Sequence, residues 1–183
     1  MKNEYRIYFK NLESKDKELQ YEAYKNLLTV TEKKVDWAYE IWDQLKEDLT
    51  SKDNHKRSRA AQFLANLAIS DQDNRILKDF PTLWEVTKDP KFVTARHSLQ
   101  AIWKVGLAGD LQKDLVVSHL VNRFTNCKGE KNYTLIRFDI IQGLRNLYDC
   151  VHDATLKQKA LDLIATENED KYRKKYATVW SNT

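Results

Sequence analysis

The feature that most constrains this chain is a pattern that returns every 36 to 42 residues. Residues 57–67 read Arg57, Ser58, Arg59, Ala60, Ala61, Gln62, Phe63, Leu64, Ala65, Asn66 and Leu67. Four other segments, beginning at residues 20, 95, 137 and 173, repeat the spacing of that one. Each carries small or apolar residues at offsets of 3, 4, 7 and 10 from its first position, such as Ser98, Leu99, Ile102 and Val105, or Ile140, Ile141, Leu144 and Leu147. The last segment breaks off after Tyr176, Ala177 and Trp180. Those offsets lie on one face of an α-helix. Self-similarity at this period predicts stacked helical units, each able to bury its apolar face only against its neighbours.

Each of these helices is preceded by a second amphipathic stretch, over residues 5–12, 35–50, 74–88, 111–125 and 154–165. The clearest holds Ala38, Ile41, Trp42, Leu45 and Leu49 on a single stripe. Short polar turns at 51–54, 88–90 and 127–130 separate the members of a pair. Only 4 glycines and 2 prolines occur among 183 residues, which leaves little material for tight β-turns. Pro90 suits a helix start, where a missing N–H costs nothing. Pro81 is expected to open the main body of its helix or to kink it.

Repeat length, small residues in the second helix and an arginine at positions 57, 137 and 173 resemble the HEAT repeat family. The departures are Gln20 and Ala95, which stand where the other units have that arginine. The resemblance covers nearly the whole chain. It implies an all-α fold, a right-handed α-α superhelix of about five helix pairs, with repeats at 1–34, 35–71, 72–109, 110–152 and 153–183 in a single domain. It also implies that second helices line the concave side and first helices the convex side.

Given that placement, helix geometry turns three rows of residues toward the groove. The first row is Glu22, Arg59, His97, Asp139 and Lys175; the second is Lys25, Gln62, Gln100, Gln142 and Thr178; the third is Thr29, Asn66, Lys104 and Asn146. Glutamine in three successive units can both donate and accept, which suits peptide amides or base edges. The central candidates for contact are therefore Arg59, Gln62 and Asn66, then His97, Gln100 and Lys104, then Asp139, Gln142 and Asn146. Charge also separates by layer. Residues 35–50 hold five acids and one lysine, whereas 55–70 and 91–106 each hold three basic residues and no acid. A positive inner face next to a negative outer one is expected, within a net charge of +4. Arg57 and Arg137 are expected to brace neighbouring turns by pairing with acids.

Most catalytic chemistry finds no foothold. There is no glycine-rich phosphate loop, no HExxH, and no cysteine cluster, since Cys127 and Cys150 stand far apart. His55, His97, His119 and His152 have no paired spacing, so neither a metal nor a cofactor is expected. Charges near Met1 occupy the place of a signal peptide's apolar stretch, and no run approaches the roughly 20 apolar residues of a membrane helix. A cytoplasmic, membrane-free protein is expected. One enzyme class is compatible with the pattern: alkylpurine DNA glycosylases built from HEAT-like repeats, which cup DNA in a positive groove beside tryptophans and a carboxylate. That resemblance would assign the carboxylate to Asp139, flanked by His97 and Lys175, with Trp103 at the groove edge. Trp37, Trp42 and Trp84 depart from it, because they lie on first helices with core spacing. The function expected is that of a binding module or scaffold for a protein partner, acidic in character. The alternative is a DNA-binding or DNA-repair protein of the same fold.

Overall fold

The computed structural model describes residues 1–181, and the regular structure among them is helical throughout. Ten α-helices follow in order: α1 Asn3–Asn11, α2 Lys17–Thr31, α3 Ala38–Asp48, α4 Asn54–Leu67, α5 Arg75–Val86, α6 Phe92–Ala101, α7 Asp110–Asn126, α8 Tyr133–Val151, α9 Ala154–Ala165 and α10 Asp170–Ala177. Short 3₁₀ segments extend four of them, at Ala68–Ser70, Ile102–Leu107, Cys127–Gly129 and Thr178–Trp180. Every amphipathic stretch read from the sequence falls on one of these helices. Asn182 and Thr183, which end the fifth expected repeat, lie outside the described residues.

Helix starts are chemically explicit. Asp16, Asp53 and Asp153 are the N-caps of α2, α4 and α9, and each carboxylate accepts backbone N–H groups of the first turn. Asn74, Asn132 and His152 take left-handed backbone angles at the start of α5, the start of α8 and the end of α8. Asparagine tolerates that region better than most residues. Pro81 does not open its helix: α5 begins at Arg75, six residues earlier, and runs through the proline to Val86.

The packing is sequential. Helices α1 and α2, α3 and α4, α5 and α6, α7 and α8, and α9 and α10 lie against each other. In addition α2, α4, α6, α8 and α10 each pack on the next in that series, as α3 does on α5 and α7 on α9. Small residues on α4, Ala60, Ala61 and Ala65, are buried at these close approaches. Trp37, Trp42 and Trp84 are core residues, at 3%, 0% and 5% exposure. Trp42 also spans two units, since its indole N–H donates to the buried Asp79 carboxylate at 2.9 Å. Burying each such large side chain contributes roughly 1.5–3 kcal/mol.

A recurring polar brace crosses this apolar core. Near the start of α2, α4, α8 and α10 a side chain reaches back to a carbonyl at the end of the preceding helix or in the turn that follows it. Gln20 donates to Leu12 O at 2.7 Å. Arg57 donates to Ser51 O at 2.7 Å, Arg137 to Phe124 O at 3.0 Å, and Arg173 to Glu167 O at 3.1 Å. The Leu12 and Phe124 carbonyls sit at the ends of their helices, where intrahelical partners run out, and those of Ser51 and Glu167 lie in the turns beyond, so the donors meet a real demand. Two of the arginines also reach forward to an acid in the following turn. Arg57 holds both oxygens of Asp89, at 2.5 and 3.0 Å, and Arg137 holds Glu167 at 2.7 Å. The bracing expected of Arg57 and Arg137 is thus what their side chains do. At position 95 the slot holds alanine, and the carbonyl of Thr87 is reached instead from α7 by Arg123, at 2.8 Å, which also pairs with Glu130 at 2.9 Å.

Arg137 and Glu167 are each only 2% exposed, so neither can be left alone in the core. Burial pushes the Glu167 carboxyl up, but the backbone N–H of Glu169 and the Arg137 guanidinium outweigh burial and hold it below its ordinary value. A carboxyl held down in the folded state stabilises fully above its unfolded pKa of about 4.3 and loses that stabilisation as pH falls. Arg137→Ala is expected to lower stability in urea unfolding by about 3–5 kcal/mol, because it strands a buried carboxylate. Glu167→Gln is expected to flatten the decline of stability with pH below about 4.5.

Candidate binding surface

The residues expected to line a groove sit on α2, α4, α6 and α8, and on the 3₁₀ segment after α6, where adjacent helices bring them within hydrogen-bond reach. Tyr24 donates its hydroxyl to Gln62 at 2.7 Å. Burial pushes the Tyr24 phenol above its usual range, which keeps it a neutral donor. Gln62 donates in turn to the Ser58 carbonyl, and Ser58 Oγ lies 3.5 Å from His97 Nδ1. Gln100 donates to Asp139 at 3.1 Å, and Gln142 to Asn146 at 2.8 Å. Lys104 pairs with Glu32 at 2.7 Å.

Two of the nine candidates face their neighbours rather than an open groove. Asn66 is 2% exposed, and its amide donates to Leu28 O at 3.2 Å and Thr31 Oγ1 at 3.0 Å. The close packing of α2 on α4 shuts that position. Asp139 is 4% exposed. Arg96 grips it through Nε at 2.8 Å and Nη2 at 3.3 Å, while Gln100 closes it from the side. A carboxylate so occupied has little capacity left for a ligand. Arg59 is also committed, since Nη1 donates to Leu12 O at 3.2 Å, and its side chain is 13% exposed. His97 and Gln100 remain exposed, and Gln142 and Asn146 are half-buried.

What the surface offers is a cleft of about 210 Å³ where α2, α4 and α6 converge. Lys17, Gln20, Tyr21 and Tyr24 come from α2, His55, Ser58, Arg59 and Gln62 from α4, and His97 from α6. These lining residues include no acidic side chain. Acids lie outside the lining: Glu13 is 3.9 Å from Arg59, Asp53 caps α4 by accepting the His55 N–H, and Glu18 and Glu22 follow Lys17 and Tyr21 along α2. Tyr21 stands 60% exposed, with the Lys25 ammonium 5.1 Å from its ring centroid. An exposed aromatic beside cations can hold a peptide by stacking and by charge together.

Helical spacing turns His55, Arg59 and Gln62 of α4 and His97 of α6 toward this cleft, but it gave no sign of Lys17, Tyr21 or Tyr24. Lys17 opens α2, ahead of the repeated core positions, where the periodic signal is silent. Arg96 was readable only as the residue after the missing arginine; nothing in its spacing announced a bond to Asp139. Among the described residues no group of three or more His, Cys, Asp or Glu is placed to hold a metal ion. Cys127 is buried and Cys150 exposed, both as free thiols.

No protein-family model matches the chain, and no curated protein matches it. The assignment of Asp139 as a brace has its own check. Asp139→Asn is expected to lower stability in urea unfolding by about 1–3 kcal/mol, because Arg96 loses a charge-assisted bidentate partner. Unchanged stability would mean the carboxylate does no structural work.

Proposed function

We propose that this chain is a HEAT-like right-handed α-α superhelix of five helix pairs. It acts as a binding module or scaffold that holds an acidic protein segment along the face formed by α2, α4, α6 and α8. The sequential packing of the ten helices and the recurring brace support the architecture. The observation that carries the function is the cleft over α2, α4 and α6, whose lining has Lys17, Arg59 and two histidines and no acid. Charge of one sign around a concavity concentrates the field and attracts the opposite sign. The exposed Tyr21 supplies an anchor of the kind that dominates peptide recognition. Glutamines at 62, 100 and 142 offer donors and acceptors to a peptide backbone. Cytoplasmic residence belongs to the same proposal; no helix of the described residues is long and apolar enough to cross a membrane.

The DNA-repair alternative draws less support. It needs a carboxylate open to the ligand, and Asp139 is enclosed by Arg96 and Gln100. Nucleic acid therefore enters as one arm of the test. A fluorescein-labelled decapeptide of alternating Asp and Glu is titrated with the protein at about 50 and 200 mM salt, beside a labelled 20-base-pair duplex. Peptide binding that weakens with salt is expected, with about a tenfold loss in the double variant Lys17→Glu, His97→Glu. Both positions are exposed, so the fold should tolerate the change. Tighter binding of the duplex, or no peptide binding at 50 mM salt, overturns the acidic-partner reading.

A further inference from the structure

The brace has one vacancy. At positions 20, 57, 137 and 173 a glutamine or arginine fills the space between its own helix and the preceding turn. At 95 stands alanine, and the space is open: a cleft of about 500 Å³ lies over Ala95, between the α5–α6 turn and the α7–α8 turn. That volume falls in the range of roughly 300–1,000 Å³ usual for ligand sites.

The vacancy has lost the volume of an arginine but not its bonds. Arg123 comes in from α7 and meets the Thr87 carbonyl at 2.8 Å and Glu130 at 2.9 Å, the two partners an arginine at 95 would have sought. The other acids of the cleft are also taken, Asp89 by Arg57 and Asp139 by Arg96. An occupant therefore finds little unmet demand for a donor. It finds apolar walls from Pro90, Phe92, Leu99 and Ile136. Phe92 is 40% exposed at the mouth, and Val93 beside it 63%. The charge left over at the rim is that of Lys131, which forms no ion pair among the described residues; the Arg96 side chain, paired with Asp139, keeps an outer edge 37% exposed.

We infer that this cleft is a second docking site, taking one bulky aromatic side chain carried on an acidic protein segment. The apolar walls take the ring, and Lys131 and the outer edge of Arg96 meet the flanking carboxylates. The site stands apart from the α2–α4–α6 cleft, with which it shares no lining residue, so it does not depend on the proposal made for that surface.

The test uses a fluorescein-labelled Asp-Glu-Trp-Glu-Asp peptide, with Asp-Glu-Ala-Glu-Asp and Lys-Lys-Trp-Lys-Lys as controls, read by anisotropy against the full chain. Ala95→Arg plugs the cleft with the residue that equivalent slots already hold. Circular dichroism and urea unfolding check that it folds. Lys131→Glu, at an exposed position, reverses the rim charge without touching the core and keeps the test open if the plug misfolds. The tryptophan peptide is expected to bind at least about tenfold more tightly than either control. It is expected to lose that advantage in both variants and to keep it in Lys17→Glu, His97→Glu. Equal binding of the tryptophan and alanine peptides, or undiminished binding to folded Ala95→Arg, overturns the inference. So does loss of the tryptophan preference only in the Lys17, His97 variant, which would move the ring to the other cleft. Binding of free indole-3-acetate with no binding of the peptide would make the cleft a small-molecule site and also overturn it.

Discussion

A side-chain donor laid across the junction between two helices is the interaction on which the rest of this structure depends. A helix leaves its last carbonyls without intrahelical partners, and a stack of short helices multiplies those orphans in its interior. Arg137 and Gln20 meet such carbonyls from the next helix along, at Phe124 and Leu12, and Arg57 and Arg173 meet those of the turns just beyond, at Ser51 and Glu167. Because Arg57 and Arg137 also hold an acid one turn further on, each fixes the distance between consecutive units as well as the geometry within its own. Apolar contact is non-directional, and the planar guanidinium adds a fixed geometry to it.

That division of labour explains what could be read from the sequence. The helices were legible because their apolar residues repeat with helical spacing in five places; the caps at Asp16, Asp53 and Asp153 came only with the structure. The brace was legible too, since one arginine recurs at a fixed slot and acids sit in the turns. The surface was harder. Periodicity says which side of a helix is polar, but not how many of its polar groups meet each other first. Asn66 and Asp139 carry the polar character expected of groove residues and are enclosed by Leu28, Thr31, Arg96 and Gln100. Pro81 misleads for a related reason. Its local preference for a helix start gave way to the tertiary packing of Ile76, Phe80, Leu83 and Trp84, which are buried on both sides of it.

The two clefts arise in different ways. At α2, α4 and α6 the polar positions survive as an acid-free concavity because the local acids are drawn off to helix caps and to Lys56. Over Ala95 capacity arises by deletion. The bonds of a missing side chain are supplied from elsewhere, and its volume remains. Neither device needs a change of backbone, which is why repeat architectures can vary their surfaces while keeping one frame.

The Lys104–Glu32 pair has a mechanical meaning of its own. It joins side chains 72 residues apart, from the end of α2 to the 3₁₀ segment after α6, so it leaps over α4 rather than linking neighbours. Lys104 is 22% exposed and Glu32 54%, so mobile ions reach the pair. Its pull fades as ionic strength rises, while the apolar contacts beside it do not. The link between the end of the second helix and the segment after the sixth is thus one that the surrounding electrolyte can slacken.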